Sequence, residues 1–193
     1  MNKKWASAAL VTGMTTSALV AVPATQASAV NHCTANSHKI TWAKVAKPWA
    51  VTHRKVIENY TGGTVTKTYS VETVLTIGSS VTFTAGAKVK ADAILESLEA
   101  TADLQLQVSG SYTNKHAESI SYKLSKNGTY VIYSGTRKVT GNWTRWACDG
   151  IGYIKTGQHG KAQSWTDEVD GGVRCNATVP KTSLAAAVKK KYC

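Results

Sequence analysis

The sequence predicts a mainly β protein, an antiparallel sheet domain with one amphipathic helix over about 87–103, a short C-terminal helix and two disulfides. Three observations lead to this fold class. Runs of residues with high β propensity alternate with threonine and serine. One stretch carries apolar residues at helical spacing. The chain also contains four cysteines, all of which follow an N-terminal segment typical of an export signal.

Residues 1–29 have the features of a signal peptide. Lys3 and Lys4 precede an apolar run over 5–22, and Pro23 precedes a small-residue cleavage site at 27–29. The rest of the chain has the length of one domain. We therefore expect a signal peptide (1–29), a polar N-terminal arm (30–47) and a single disulfide-stapled β-rich domain (48–193) in a secreted, extracellular protein.

The N-terminal arm is polar and irregular, and Ile40 and Trp42 are its large apolar residues. We expect it to be flexible and to add a strand to the sheet of a partner protein. Strands are expected next over Pro48–Tyr60 and Thr64–Val71. Thr73–Ala85 also alternates, and because Gly78 interrupts it, the segment is expected to form one bent strand or two.

The helix is the strongest periodic signal. Its apolar side chains fall on one face (Ala91, Ile94, Leu95, Leu98 and Ala102), beside an acidic stripe (Asp92, Glu96, Glu99 and Asp103). We expect the apolar face to pack on the sheet and the acids to face water. Paired carboxylates for glycoside cleavage are the alternative, but such pairs usually lie across a cleft rather than along one helix.

Several strand signals follow the helix. A strand is expected from Leu104 to Tyr112, and Asn127-Gly128 predicts a type I′ turn that pairs 120–124 with 129–133. A further run covers 139–146, where Trp143, Arg145 and Trp146 could form an exposed aromatic and basic patch. The alternative, which we favour, is that these tryptophans pack in the core beside Cys148.

The four cysteines predict two disulfides without fixing their pairing. We favour Cys148 with Cys175, because a shorter loop closes more easily, and Cys33 with Cys193. Residues 148–175 are expected to be loops with short strands. Pro180 precedes the C-terminal helix, expected over Thr182–Tyr192.

No constellation indicates catalysis or a metal site. His159, Ser164 and Asp167 could be assembled into a triad, but they lie in a glycine-rich loop with no strand-to-helix elbow and no oxyanion donor. Asp167, Glu168 and Asp170 could form a calcium site, but their spacing does not match an EF-hand loop, and we favour a solvated acidic turn. We expect no cofactor and no enzymatic activity. Removing Lys3 and Lys4 lowers the formal net charge from +12 to +10, which favours an anionic partner; export and scattered lysines argue against nucleic acid.

Two resemblances bear on function. Threonine- and serine-rich strands on either side of a short helix, from Thr73 to Ile77 and from Gly110 to Thr113 within residues 64–140, resemble the stem of aerolysin and epsilon-toxin-like pore formers. That resemblance implies a hairpin that rearranges in an oligomer to form a membrane pore, and membrane contact is expected only in that case. In size, export, disulfides and polar arm the chain is similar to the adaptor subunit of umbrella-type secreted toxin particles, which implies assembly with protein partners.

The sequence therefore predicts a secreted, non-enzymatic binding or adaptor protein of a bacterial toxin or envelope-directed assembly. Its partner is expected to be a protein or an anionic cell-envelope surface. An aerolysin-like pore former and a cell-wall hydrolase are the alternatives.

Overall fold

One long strand, Gly128–Cys148, organises the fold by pairing with four other strands. The computed structural model describes residues 33–107 and 119–193. The elements in chain order are β1 (His38–Ala46), β2 (Trp49–Asn59), β3 (Val65–Ser70), β4 (Glu72–Thr73), β5 (Ser80–Val81), α1 (Ala91–Ala102), β6 (Ser119–Leu124), β7 (Gly128–Cys148), β8 (Tyr153–Trp165), β9 (Val169–Arg174) and α2 (Leu184–Tyr192). The predicted fold class, mainly antiparallel β with two helices and two disulfides, is confirmed.

The two halves of β7 belong to different pairings. Its first half runs between β2 and β9, and its second half runs between β1 and β8, all antiparallel. Close packing along the strand requires glycine at two points. A Cβ atom on Gly135 would lie 2.6 Å from the Ala50 carbonyl oxygen, and one on Gly141 would lie 2.8 Å from the Trp42 ring. These glycines permit continuity of β7 rather than breaking it.

Three layers pack on this sheet. Helix α1 covers one face of the β1–β7–β8 part through Ile94, Leu95, Leu98 and Ala102, all at most 2 % exposed. Helix α2 covers the β2–β7–β9 part. The small β3–β6 sheet covers the opposite face of that second part. The predicted apolar face of α1 is thus confirmed, and it packs on the sheet as expected.

Local bonds fix both helices. The Lys47 ammonium donates to the Ala102 carbonyl oxygen at 2.7 Å, at the carbonyl end of α1, where a cation is stabilising. The acidic stripe is partly used within the chain, because Glu99 accepts a hydrogen bond from the Leu106 N–H at 3.1 Å. Ser183 caps α2 by accepting from the Ala186 N–H at 3.1 Å.

The segment expected to be a flexible arm is a strand of the sheet. Residues His38–Ala46 form β1 and pair with the second half of β7, so this strand belongs to the same compact unit as the rest of the described chain. The arm prediction failed because the partner of this strand lies about 100 residues later in the chain, beyond the reach of local pattern.

Two further strand predictions are corrected. Segment 120–124 pairs with β3 rather than with 129–133, so Asn127-Gly128 joins two stacked sheets and not a hairpin. Apolar side chains of β6, Ile120 and Leu124, pack on Tyr130 and Ile132, which requires stacking rather than pairing. Segment 73–85 contains only the end of β4 and the two-residue β5, and most of the strand expected over Leu104–Tyr112 lies outside the described residues.

The disulfides join Cys33 to Cys148 and Cys175 to Cys193, with Cα–Cα distances of 5.9 and 5.4 Å. The expected pairing was wrong. Cys33 lies beside Cys148 because β1 runs antiparallel to the end of β7, and Ser37 and Cys148 share a backbone hydrogen bond of 2.9 Å. Helix α2 returns Cys193 to the end of β9. The separation of 18 residues between Cys175 and Cys193 is also the shorter loop, so the loop-closure argument itself favoured this pair.

Candidate binding face

The side of the β1–β7–β8 sheet opposite α1 is open to solvent among the described residues. Strand register places residues from the three strands in rows across this side. The first row is Lys39, Trp146 and Lys155; the second is Thr41, Thr144 and His159; the third is Ala43, Asn142 and Lys161. We call the side chains of these nine residues the basic face.

The three strands of this sheet carry basic side chains and no acidic ones. Strands β1, β7 and β8, which the structure describes in full, contain seven lysine and arginine residues and no aspartate or glutamate. On the other side lies α1 with its acidic stripe. Within the described ranges, Lys39, Lys155 and Lys161 form no ion pair with a carboxylate, so their positive charge is directed at solvent.

Aromatic rings hold the lysines at one end of the basic face. The Lys39 ammonium lies 4.1 Å from the centre of the Tyr153 ring and 5.9 Å from that of Trp146, and the Lys155 ammonium lies 5.4 Å from the Trp146 ring. The Trp146 indole N–H donates to Thr41 Oγ1 at 2.8 Å. Such cation–π contacts preorganise the lysines without neutralising them.

At the other end, the segment that follows β5 runs along the edge of β8 in an unusual way. The Thr82 and Thr84 N–H groups donate to carbonyls of β8, at 2.8 and 3.0 Å. Within the described chain, the N–H groups of β8 do not donate to backbone carbonyls of this segment, as they would in a regular strand pair. They donate to threonine hydroxyls instead, and the Lys161 N–H donates to Thr82 Oγ1 at 2.9 Å. The Thr82 carbonyl is thereby released and accepts from the Trp143 indole N–H at 3.2 Å.

This crossing depends on Gly160. A Cβ atom there would lie 1.9 Å from the Thr82 carbonyl oxygen. Beside the crossing lie two cavities of about 530 and 340 Å³, both lined by Thr82, Asn142 and Lys161. They form a shallow groove with hydroxyl, amide and ammonium groups, which can bind anionic or hydroxyl-bearing groups but carry no general acid–base pair.

The residues of the predicted surface patch lie apart from one another. Trp143 is fully buried in the core under α1 and cannot belong to a surface. Arg145 points to the α1 side of the sheet, where it donates to Gln158 Oε1 at 2.9 Å. Trp146 lies on the basic face. Successive residues of a strand point to opposite sides, so neighbouring residues cannot share one patch.

The predicted partner-binding residues of the arm are used within the domain. Ile40 and Trp42 are partly buried against the core under α1. The Trp42 indole N–H donates to Ser97 Oγ at 3.0 Å. They hold β1 to α1 and are not available to a partner sheet.

The triad and the calcium site also do not form. Ser164 is fully buried and donates to the Gln107 carbonyl oxygen at 2.5 Å, whereas His159 lies on the basic face, on the other side of β8. Glu168 lies against Thr52 and His53, and Asp170 accepts from Ser134 Oγ at 2.5 Å. Within 33–107 and 119–193, no three His, Cys, Asp or Glu residues are grouped to hold a metal ion.

Sequence reasoning missed Lys39, Lys155 and Lys161, because they come from strands that are distant in the sequence. A signal for the face was nevertheless present: the absence of acids from 119–148 and 150–166. No described helix has the length and hydropathy to span a bilayer. No family model, curated protein or solved structure matches this chain.

Proposed function

We propose that this protein is a secreted, non-enzymatic binding or adaptor protein that captures an anionic partner on its basic face. Two disulfides in the described chain are typical of an oxidising compartment. The observation that carries the proposal is the row arrangement of Lys39, Lys155 and Lys161 on one side of three strands that contain no acid. The proposed setting is a bacterial toxin or envelope-directed assembly.

Geometry supports binding rather than catalysis. The lysines project from a rigid sheet, and ring contacts and neighbouring strands fix their spacing. A partner therefore meets a preorganised cationic surface, which reduces the entropy lost on binding. Trp146 and Tyr153 add flat apolar area beside the charges.

The experiment measures binding to a soluble anionic polymer, dextran sulfate, as a function of salt. The test variant replaces three lysines of the basic face by glutamine: Lys39, Lys155 and Lys161. The matched control replaces three exposed lysines of the β3–β6 sheet and the following turn: Lys67, Lys123 and Lys126. Both variants lose the same net charge, so any difference reports the position of the lysines.

We expect the face variant to bind roughly tenfold or more weakly and to show a shallower dependence on salt, because fewer counterions are released. The control variant should stay within about threefold of the unmodified protein, by the same counterion argument. Equal losses in the two variants would show that only net charge matters and would refute a binding face. Measurable wild-type affinity that neither variant changes would place the site elsewhere.

A further inference from the structure

The end of the β7–β8 hairpin, which continues from the basic face, exposes apolar side chains in the turn and at the start of β8. Ile151 is 72 % exposed and Ile154 is 55 % exposed, the largest exposures of any described isoleucine, leucine or valine. Single exposed apolar residues are common on protein surfaces. Here two β-branched residues lie within four positions: Ile151 is in the turn, and Ile154, opposite Ala147, lies on the side of the hairpin away from Trp146 and Tyr153.

The tip is held in a fixed conformation. Asp149 Oδ1 accepts from the Ile151 N–H at 2.9 Å and from the Gly152 N–H at 2.8 Å. The Asp149 N–H in turn donates to the Gly152 carbonyl at 3.1 Å. The Cys33–Cys148 disulfide fastens the base of the hairpin to the residues before β1. The exposure of Ile151 is therefore built into an ordered turn, and that of Ile154 into the first residues of β8.

Behind Ile151, successive rows of the hairpin hold Tyr153 opposite Cys148, Ile154 opposite Ala147 and Lys155 opposite Trp146, so that Trp146 lies one row farther from the tip than Ile154. Trp146 lies three residues before Asp149, about 10 Å at the rise of a strand, and Tyr153 lies just after the turn. Lys39 and Lys155 contact these rings. Apolar side chains that enter an interface penetrate about 5 to 10 Å, aromatic rings favour the headgroup level, and lysines bind anionic headgroups.

We propose that the anionic partner is a lipid bilayer, and that the hairpin inserts Ile151 and Ile154 at its surface with Trp146 at headgroup level. This inference rests on the proposed function, since the lysines of the basic face supply the attraction. It adds a contribution that a soluble anionic polymer cannot provide, namely burial of the two isoleucines. An anionic polysaccharide is the competing partner and is distinguished by the experiment.

Co-sedimentation with vesicles tests the proposal, using protein purified from the medium of cells that express the full chain. The vesicles contain phosphatidylcholine alone or with 30 % phosphatidylglycerol, a composition of about physiological surface charge. The test variant is Ile151→Ser with Ile154→Ser. The control is the single substitution Leu75→Ser, because leucine has the same number of atoms as one isoleucine and Leu75 is 41 % exposed in an irregular segment remote from the tip in sequence.

We expect the double variant to bind anionic vesicles at least about tenfold more weakly, by loss of buried aliphatic area. It should bind dextran sulfate as the unmodified protein does, and Leu75→Ser should change neither. Asp149→Asn keeps the acceptor of the turn and removes a negative charge from the tip, so it should strengthen vesicle binding by about fivefold.

The result that overturns the inference is a double variant that sediments with anionic vesicles as well as the unmodified protein. If the lysine variant then loses both polymer and vesicles, the basic face is a purely electrostatic site and the proposed function stands. If the unmodified protein binds neither dextran sulfate nor anionic vesicles, the proposed function itself fails. The two failures are thus distinguishable.

Discussion

Gly160→Ala tests the crossing that shapes the groove on the basic face. The substitution adds one methyl group, which would lie 1.9 Å from the Thr82 carbonyl oxygen and 2.9 Å from the Trp143 indole nitrogen. The first contact involves backbone, so no side-chain rotation can relieve it. The segment that carries Thr82 must move away from β8.

Moving that segment breaks the hydrogen bonds that hold it. Three of them join Thr82 to its neighbours: to the Lys161 carbonyl, from the Lys161 N–H and from the Trp143 indole N–H, at 2.8, 2.9 and 3.2 Å. At about 1 kcal/mol each, their loss lowers the free energy of unfolding by roughly 3 kcal/mol. The altered groove should also reduce affinity for dextran sulfate.

Urea unfolding followed by tryptophan fluorescence measures the change in free energy. The control is Gly152→Ala, at a glycine with no atom near the added Cβ and no positive φ angle; it should stay within about 0.5 kcal/mol. A Gly160→Ala protein as stable as this control would refute the crossing of Thr82 over β8.

Two further predictions concern the core and the disulfides. Burial, with a smaller contribution from Tyr122, raises the pKa of Tyr133 above 10.0, so this tyrosine ionises first in the unfolded chain and stability should fall as pH rises above about 10. Tyr133→Phe should reduce the pH dependence of the urea midpoint between about pH 9 and 11. An unchanged pH dependence would contradict the raised pKa of Tyr133. Replacing Cys175 and Cys193 by alanine should lower the free energy of unfolding by about 3 kcal/mol. Peptide mapping of the unmodified protein without reduction should find Cys175 joined to Cys193. A peptide that joins Cys148 to Cys175 would contradict the fold.

Elements with a complete local signal were predictable from the sequence. The apolar face of α1 repeats at helical spacing within twelve residues, and α2 has a serine cap and a terminal lysine run. Strands β2 and β3 lie within the expected segments. In each case the residues that define the element are neighbours in sequence, so no knowledge of its partner was needed.

Elements defined by distant partners were not predictable. Gly135 and Gly141 illustrate this, because a glycine in an alternating run is locally typical of a turn or bulge. In the fold they instead allow Ala50 and Trp42 to lie close to a continuous strand. Asn127-Gly128 suggested a hairpin for the same reason. The strand before it, β6, instead pairs with β3, and the strand after it, β7, pairs with β2. Side-chain packing, and not the turn, determines these pairings.

The basic face was predictable in part. Alternation along β7 assigns its side chains to two sides of the strand: Val139, Gly141 and Trp143 lie on one side, and Thr144 and Trp146 lie on the other. A buried Val139 therefore implied a buried Trp143 and an outward Trp146, and the two tryptophans could have been separated before the fold was known.

What alternation could not supply is the identity of the neighbours in each row. Strand β8 shifts register between the partners of Thr144 and Trp146, and Gly157 within that shift has a φ of 78°. Without the shift, alternation would place a different residue beside Trp146 than Lys155. The position of Lys155 beside the Trp146 ring thus arises from the register shift of β8, whereas Lys39 is placed there by the register of β1. Because a register belongs to a pair of strands, a binding surface that depends on it is a property of the assembled sheet.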